Sequence, residues 1–300
     1  MKVSYQVFLR KVKTMKKVAL INDLSGFGKC SLTAAIPVIS ALGVSCHPLT
    51  TAVLTAQSGY EHFYCKDMTD MMPEYIDAWK KNEVSFDGIY SGYMTGPAQI
   101  DYVNRFLDEF LNEDTFLLVD PVMGDNGECY KMFTEEHLDK MRLLIKRANL
   151  ITPNLTESCM LAGADYGKLL EIEDKDKLFE QIEYIAETIK RNANDNLEII
   201  ITGIRVKKDD STYIYNFALT NEGNYKVCTA SIDKSFSGTG DLFASAVCGL
   251  KMNGHSTKNA MELAARFIFK SIADTIGENL PGTYGINFEK HLGYLMKEGM

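Results

Sequence analysis

From Lys17 to Thr202 the chain alternates short apolar runs with longer amphipathic stretches, and this alternation limits the fold more than any other feature. The runs are KVALIN (17–22), VSCHPL (44–49), GIYSG (88–92), TFLLVD (115–120), NLIT (149–152) and LEIIIT (197–202). Between them, apolar residues recur at helical spacing near 30–42, 68–81, 97–111, 134–147, 155–162 and 175–192. Strand and helix in strict turn predict an α/β fold: three layers, with a mostly parallel central sheet and helices on both faces. STYIYNFAL and NYKVCTA, separated by TNEG, predict an antiparallel hairpin at one sheet edge.

The chain reads as one domain over 15–300, preceded by an extension at 1–14 that is basic, free of acids and expected to be mobile. Met15 opens MKKVALIN, the natural start of a first strand. A net charge of −8, with acids and bases mixed along the chain, argues against a nucleic-acid or anionic-membrane surface and for a small-molecule partner. The seven cysteines form no C-x-x-C pair and have no nearby histidine spacing, so they read as reduced thiols rather than metal ligands.

In an open α/β sheet, ligands bind beyond the carboxyl ends of the strands. The polar residues at those ends are Asn22, Asp23, Ser91, Tyr93, Asp120, Asp125, Thr152, Asn154, Glu157 and Thr202. Asp120, Asn154 and Glu157 offer the oxygen donors a hard cation such as Mg²⁺ takes. Near the C-terminus, SGTG places Ser237, Gly238, Thr239 and Gly240 directly before Asp241 and a helical apolar pattern. Unpaired amides at a helix start, with glycines permitting close approach, suit an anion. An acid facing that anion suits proton abstraction from an attacking hydroxyl, although a helix start carrying an acid favoured by the dipole has the same spelling.

The turn NDLSGFGKCS also joins a strand to a helix, yet it fails as a nucleotide loop. As a Walker A loop it lacks the first glycine, which would fall at Asp23, and Cys30 stands where the hydroxyl after Lys29 belongs. As a dinucleotide fingerprint it has Ser31 in place of the third glycine and no ribose-binding acid from Val44 to Tyr60.

In order along the chain, DLSG, TTAVLTAQSGY, YSGYM, VDPVMGDNGECY, ITPNLTESCMLAG and FSGTGDLFASAVCGL resemble the ribokinase-like vitamin kinases, closest to the pyridoxal, pyridoxamine and pyridoxine kinases. That resemblance implies an ATP- and Mg²⁺-dependent phosphotransferase acting on an alcohol, with a monovalent cation such as K⁺ as a further activator. It also implies a cytoplasmic homodimer. Asp241 then corresponds to the base and Gly238, Thr239 and Gly240 to the anion hole. Asp120, Asn154 and Glu157 correspond to Mg²⁺-nucleotide ligands or their supports, and Asp125, Thr152, Thr202 and Ser237 to the nucleotide side. Asp23, Ser58 and Tyr93 correspond to acceptor contacts, and Gly124–Met132 to a flap over the phosphates. Asp23 departs from the serine of the better-known pyridoxal kinases toward the SDPSGG turn of hydroxymethylpyrimidine phosphate kinases, which leaves the acceptor open between a B6 vitamer and hydroxymethylpyrimidine. A ribokinase-like nucleotide binder without kinase chemistry is the alternative of a different class. Only about eight residues separate Asn22 from the first helix, too few for the inserted lid strands of the sugar kinases.

Overall fold

The computed structural model describes residues 14–232, 234–278 and 280–299. Apart from Thr14, the extension expected at 1–14 lies outside them. Among the described residues, nine strands form one sheet in the order β11-β10-β9-β8-β5-β4-β1-β2-β3. Their ranges are β1 Lys17–Ser25, β2 Ser45–Leu54, β3 Cys65–Asp67, β4 Gly88–Ser91, β5 Phe116–Val119, β8 Leu150–Ile151, β9 Glu198–Lys208, β10 Ser211–Thr220 and β11 Gly223–Ala230. A separate two-stranded hairpin, β6 Gly124–Asp125 and β7 Glu128–Cys129, stands off the sheet. From β2 to β9 the central pairings are parallel, and the expected hairpin β10–β11 is antiparallel at one edge.

Two departures from the sequence reading lie at the sheet margins. β2 continues past Leu49 to Leu54, and β3 pairs with it antiparallel on the outer edge. β9 runs on through Gly203 to Lys208, so that Asp209 and Asp210 become its tight turn into β10, with Asp209 at φ 52°. The β9 extension alternates exposed and buried residues and so lacks the continuous apolar character of a doubly covered strand, whereas Thr51, Ala52 and Leu54 in the β2 extension are buried.

The centre is buried on both faces, and β1 shows how. Val18, Ala19, Leu20 and Ile21 are all fully buried, and the pleat sends alternate side chains to opposite cores. Ala19 and Ile21 pack toward α2 (Met72–Lys81), α3 (Pro97–Phe110), α4 (Glu135–Leu144), α5 (Leu155–Ala162), α6 (Tyr166–Leu170) and α7 (Lys175–Ala193). Val18 and Leu20 pack toward α1 (Ser31–Ala41), α8 (Thr239–Met252), α9 (Thr257–Ile276) and α10 (Leu292–Gly299). Met72 and Trp79 join the first core, whereas Met71 is 45% exposed.

The packing of α1 on α8 fixes two parts of the rim relative to each other, because α1 begins behind the first loop and α8 carries Asp241. Gly249 lets the helices approach: a Cβ there would lie 2.5 Å from Leu42 Cδ1. Gly249→Val should therefore cost about 1–3 kcal/mol through overpacking, read as a lower urea midpoint with an unchanged m-value.

Candidate active site

Asn22 and Asp23, Tyr93, Asp120, Thr152 and Thr202 emerge together beyond the carboxyl ends of the parallel strands, and α8 begins beside them. Gly238 is the N-cap of α8 at φ 79°, a left-handed conformation that favours glycine, and any Cβ would collide with the Lys29 carbonyl oxygen. No side chain caps this helix, so the N–H groups of its first turn, from Thr239 to Asp241, remain available to a ligand. Gly240 is exposed, while Thr239 and Asp241 are half-buried.

Asp241 lies within reach of two other elements. Asn22 Nδ2 donates to its Oδ1 at 3.5 Å, and the Ser31 N–H, at the start of α1, is a second donor. Burial pushes the Asp241 carboxyl from its ordinary value of 3.8 up to about 6, with the Asp23 charge adding to the rise and the two donors offsetting part of it. Asp23 is itself buried and raised by burial, an effect partly offset by the hydroxyls of Ser31 and Ser25, the latter donating to Oδ2 at 2.9 Å. Tyr93 and Cys65 are close enough to feel the Asp23 charge, and both are pushed up, chiefly by burial. Thr51 Oγ1 donates to the Tyr93 carbonyl at 2.9 Å, fixing the turn after β4 to β2.

A second acidic group lies on the other side of Asp241. Burial and then the Asp241 charge push Asp120 up to about 8, while the Thr152 hydroxyl, donating at 3.0 Å, opposes this. Glu157 is raised well above the carboxylate range by burial and by Asp120. Its two oxygens accept from Asn154 N at 2.8 Å and Met123 N at 3.1 Å. Asn154 returns the bond by accepting from Glu157 N at 2.9 Å, which completes a capping box at the start of α5, and its Nδ2 donates to Gly124 O at 2.7 Å. Both ends of the Asn154 amide are thus engaged within the chain. Asp120 and Glu157 together fit a hard divalent cation that also binds phosphate oxygens and water. Among the described residues no three His, Cys, Asp or Glu side chains group closely enough to hold a metal by themselves.

The hairpin β6–β7 turns at Asn126 and Gly127, at φ 52° and 82°. Gly127 lies against the Tyr166 ring and donates to Thr156 Oγ1 at 2.9 Å, so the flap is seated on α5 and α6. Exposed Asp125 accepts from Asn126 N at 2.9 Å. Tyr130, just past the hairpin, is 45% exposed, and its hydroxyl is raised by partial burial and by the charges of Glu157, Asp125, Asp241 and Asp120. Thr202 bridges to Asn154, and both its N–H and Oγ1 donate to Pro153 O, at 2.9 Å and 3.5 Å. Ser237 donates its N–H to Gly282 O at 3.0 Å. Ser58 is exposed on the β2–β3 loop, and no hydrogen bond among the described residues joins it to Asp23 or Tyr93.

Three residues gain importance only in three dimensions. Asn22 stands among the rim residues in the sequence but bonds to three parts of the site. Ser31 is a non-glycine residue at φ 48°, a strained conformation placed between two acids. Lys29 turns away from the cleft, its Nζ held by Asn287 Oδ1 and Glu289 Oε2, each at 2.8 Å.

The chain matches the phosphomethylpyrimidine kinase family over residues 28–282. Among solved structures, a protein of Bacteroides thetaiotaomicron VPI-5482 described as a phosphomethylpyrimidine kinase is 37% identical, with a TM-score of 0.85 over 95% of this chain and 96% of that one. An orthorhombic form of that protein contains pyridoxal and gives a TM-score of 0.83, covering 94% and 96%. The pyridoxal kinase of Lactobacillus plantarum is 25% identical with a TM-score of 0.84 over 95% and 98%. The hydroxymethylpyrimidine/phosphomethylpyrimidine kinase of Bacillus subtilis (strain 168) is 27% identical over 263 residues, covering 87% of this chain and 83% of that protein.

The buried acids give stability a definite pH dependence. Asp120 holds its proton more tightly folded than unfolded, so its contribution is full below about 4 and is lost as pH rises toward about 8. Asp120→Asn should accordingly raise the melting temperature of the ligand-free protein by about 2–4 °C at pH 8. The gain over wild type should vanish by pH 4 in thermal melts.

Proposed function

We propose that this chain, which belongs to the phosphomethylpyrimidine kinase family, transfers the γ-phosphate of ATP to the hydroxymethyl group of a B6 vitamer: pyridoxal, pyridoxamine or pyridoxine. That it is a phosphotransferase with an alcohol as acceptor follows from the family and from its kinase relatives. The observation that carries the mechanism is Asp241 at the uncapped start of α8, facing Asp23 across the end of β1. In this reading Asp241 takes the proton of the attacking hydroxyl. The first-turn N–H groups of α8, from Thr239 to Asp241, hold the oxygens of the transferring phosphoryl group, a charge-stabilising role that dominates such transfers. Asp120 and Glu157 would hold Mg²⁺, with Asn154 and Thr152 as their supports. Bound there, the ion neutralises phosphate charge. Asp125, Thr202 and Ser237 would face the nucleotide.

Asp23 and Tyr93 would receive the acceptor ring, Asp23 as a hydrogen-bond acceptor for a ring N–H, a phenolic hydroxyl or an exocyclic amine. The names of the Bacillus subtilis relative and of the family favour a second reading, hydroxymethylpyrimidine and its monophosphate. The direction of Lys29 weighs against the monophosphate. The one basic residue of the β1–α1 turn is committed to Asn287 and Glu289, and the groups around Asp23 are acidic or neutral. An acceptor already carrying a phosphate would meet two carboxylates and no cation there. The B6 reading is supported further by the pyridoxal of the Bacteroides structure.

The same reading carries a homodimer, checked by sedimentation showing twice the chain mass at micromolar concentration. Asp241→Asn should lower kcat by about 10²-fold or more with nucleotide affinity nearly unchanged. Wild-type kcat should fall as pH drops through about 6, where Asp241 gains its proton. Side-by-side kcat/KM values for the three vitamers, hydroxymethylpyrimidine and its monophosphate test the acceptor. A vitamer should rank first and the monophosphate last, and a clear preference for either pyrimidine would reassign the substrate.

A further inference from the structure

Asn22 is 1% exposed, and each of its side-chain polar atoms has a partner. Its Oδ1 accepts from Asp23 N at 3.0 Å and from Tyr93 N at 2.9 Å. Two backbone N–H groups converging on one atom require that atom to be the oxygen. The amide therefore has one orientation, and its Nδ2 has to face Asp241 Oδ1, 3.5 Å away.

The surroundings are shaped to this side chain. At Gly92, a Cβ would lie 2.5 Å from Asn22 Nδ2, 2.8 Å from Cγ and 3.0 Å from Oδ1, so the turn after β4 keeps a glycine-sized space for the amide. Gly92 is outside the positive-φ set, so this space, rather than backbone conformation, is what glycine provides. The register of β1 against β2 shifts between Asn22 and Leu24, a bulge of the kind that re-aims side chains beside active sites. Ser31 adds its strained backbone at φ 48° on the opposite side of Asp241.

We propose that Asn22 is a positioning residue that holds Asp241 in register with the acceptor-binding Asp23 and Tyr93, so that base and acceptor site form one rigid unit. The inference rests on Asp241 being the base. An amide meets all three demands without adding a charge, its oxygen taking both backbone N–H groups and its nitrogen facing Asp241. Aspartate could accept from both backbone N–H groups but could not donate to Asp241, and it would add a charge. Alanine leaves Asp23 N, Tyr93 N and Asp241 Oδ1 without their shared partner. A side chain that only stitched β1 to β4 would need no donor aimed at α8.

Asn22→Asp separates these roles, because it keeps the shape and both backbone bonds while replacing the donor to Asp241 with a carboxylate oxygen. It should fold, lower kcat about 10- to 100-fold and leave KM for ATP within about twofold. The donor favours the charged form of Asp241, so its loss, with a new charge beside it, should also move the acid limb of the kcat–pH profile to higher pH. Gly92→Ala is the second variant, displacing the amide without changing its chemistry, and it should lower kcat and raise the acid limb in the same direction. Combined with Asn22→Asp, its effect should be less than additive. Wild-type kcat and an unmoved acid limb in both single variants, with Asp241→Asn inactive, would overturn the inference and leave the kinase reading standing. Wild-type turnover by Asp241→Asn would overturn both.

Discussion

Four carboxylates, Asp23, Asp120, Glu157 and Asp241, gather at the carboxyl ends of one parallel sheet, and their mutual repulsion is the constraint to which the surrounding structure answers. Burial raises Asp241, Asp120 and Glu157 most, and a chain of like charges adds to it, Asp23 on Asp241, Asp241 on Asp120 and Asp120 on Glu157. Such an arrangement opposes folding, and the two large cores on either side of the sheet offset it. Its use is in what it attracts. A hard cation, a polarised hydroxyl and a ring N–H each relieve one part of the repulsion.

Helix starts supply the remaining counterpoise. α1, α5 and α8 all begin at this end of the sheet, and each turns N–H groups toward an acid or leaves them open to an anion. Their ends are finished differently, and the difference follows function. Asn154 and Glu157 close the start of α5 with a capping box, so that helix satisfies its own donors and tethers the flap through Gly124. α8 begins without a side-chain cap at Gly238, so its donors remain for a ligand. The two helix starts thus differ, one satisfying its own donors and the other leaving them open to an anion.

The layered fold, the edge hairpin and the location of the rim could be read from the sequence because each depends on local periodicity, with KVALIN and LEIIIT buried on both faces as doubly covered strands must be. The pairing of β3 with β2 could not, since β3, Cys65–Asp67, is an edge strand exposed at every position and carries no apolar signature. NLTE carries the spelling of a capping box, a signal that stands beside the reading of Asn154 and Glu157 as oxygen donors. Asn22 is legible as a polar residue ending a strand, but its role depends on Tyr93 and Asp241, 71 and 219 residues away. A sequence carries the chemistry of an amide and not the convergence that orients it.

Lys29 shows the same limit from the other side, and it bears on specificity. Within NDLSGFGKCS it is a cation beside the acceptor turn, and its partners come from the C-terminal segment. That segment returns across the acceptor half of the site: Gly282 O accepts from Ser237 N at 3.0 Å, Thr283 O accepts from Gln57 Nε2 at 2.9 Å, and Asn287 with Glu289 holds Lys29 Nζ. The same segment therefore braces the anion loop and withdraws the cation from the acceptor turn. The residues that hold Lys29 lie beyond position 282, where the family match ends. Family membership fixes the phosphoryl chemistry because that chemistry is built on the sheet and on α8. The acceptor turn is a separate matter: Asp23 is buried there and raised by that burial, while the nearby cation, Lys29, is engaged by Asn287 and Glu289.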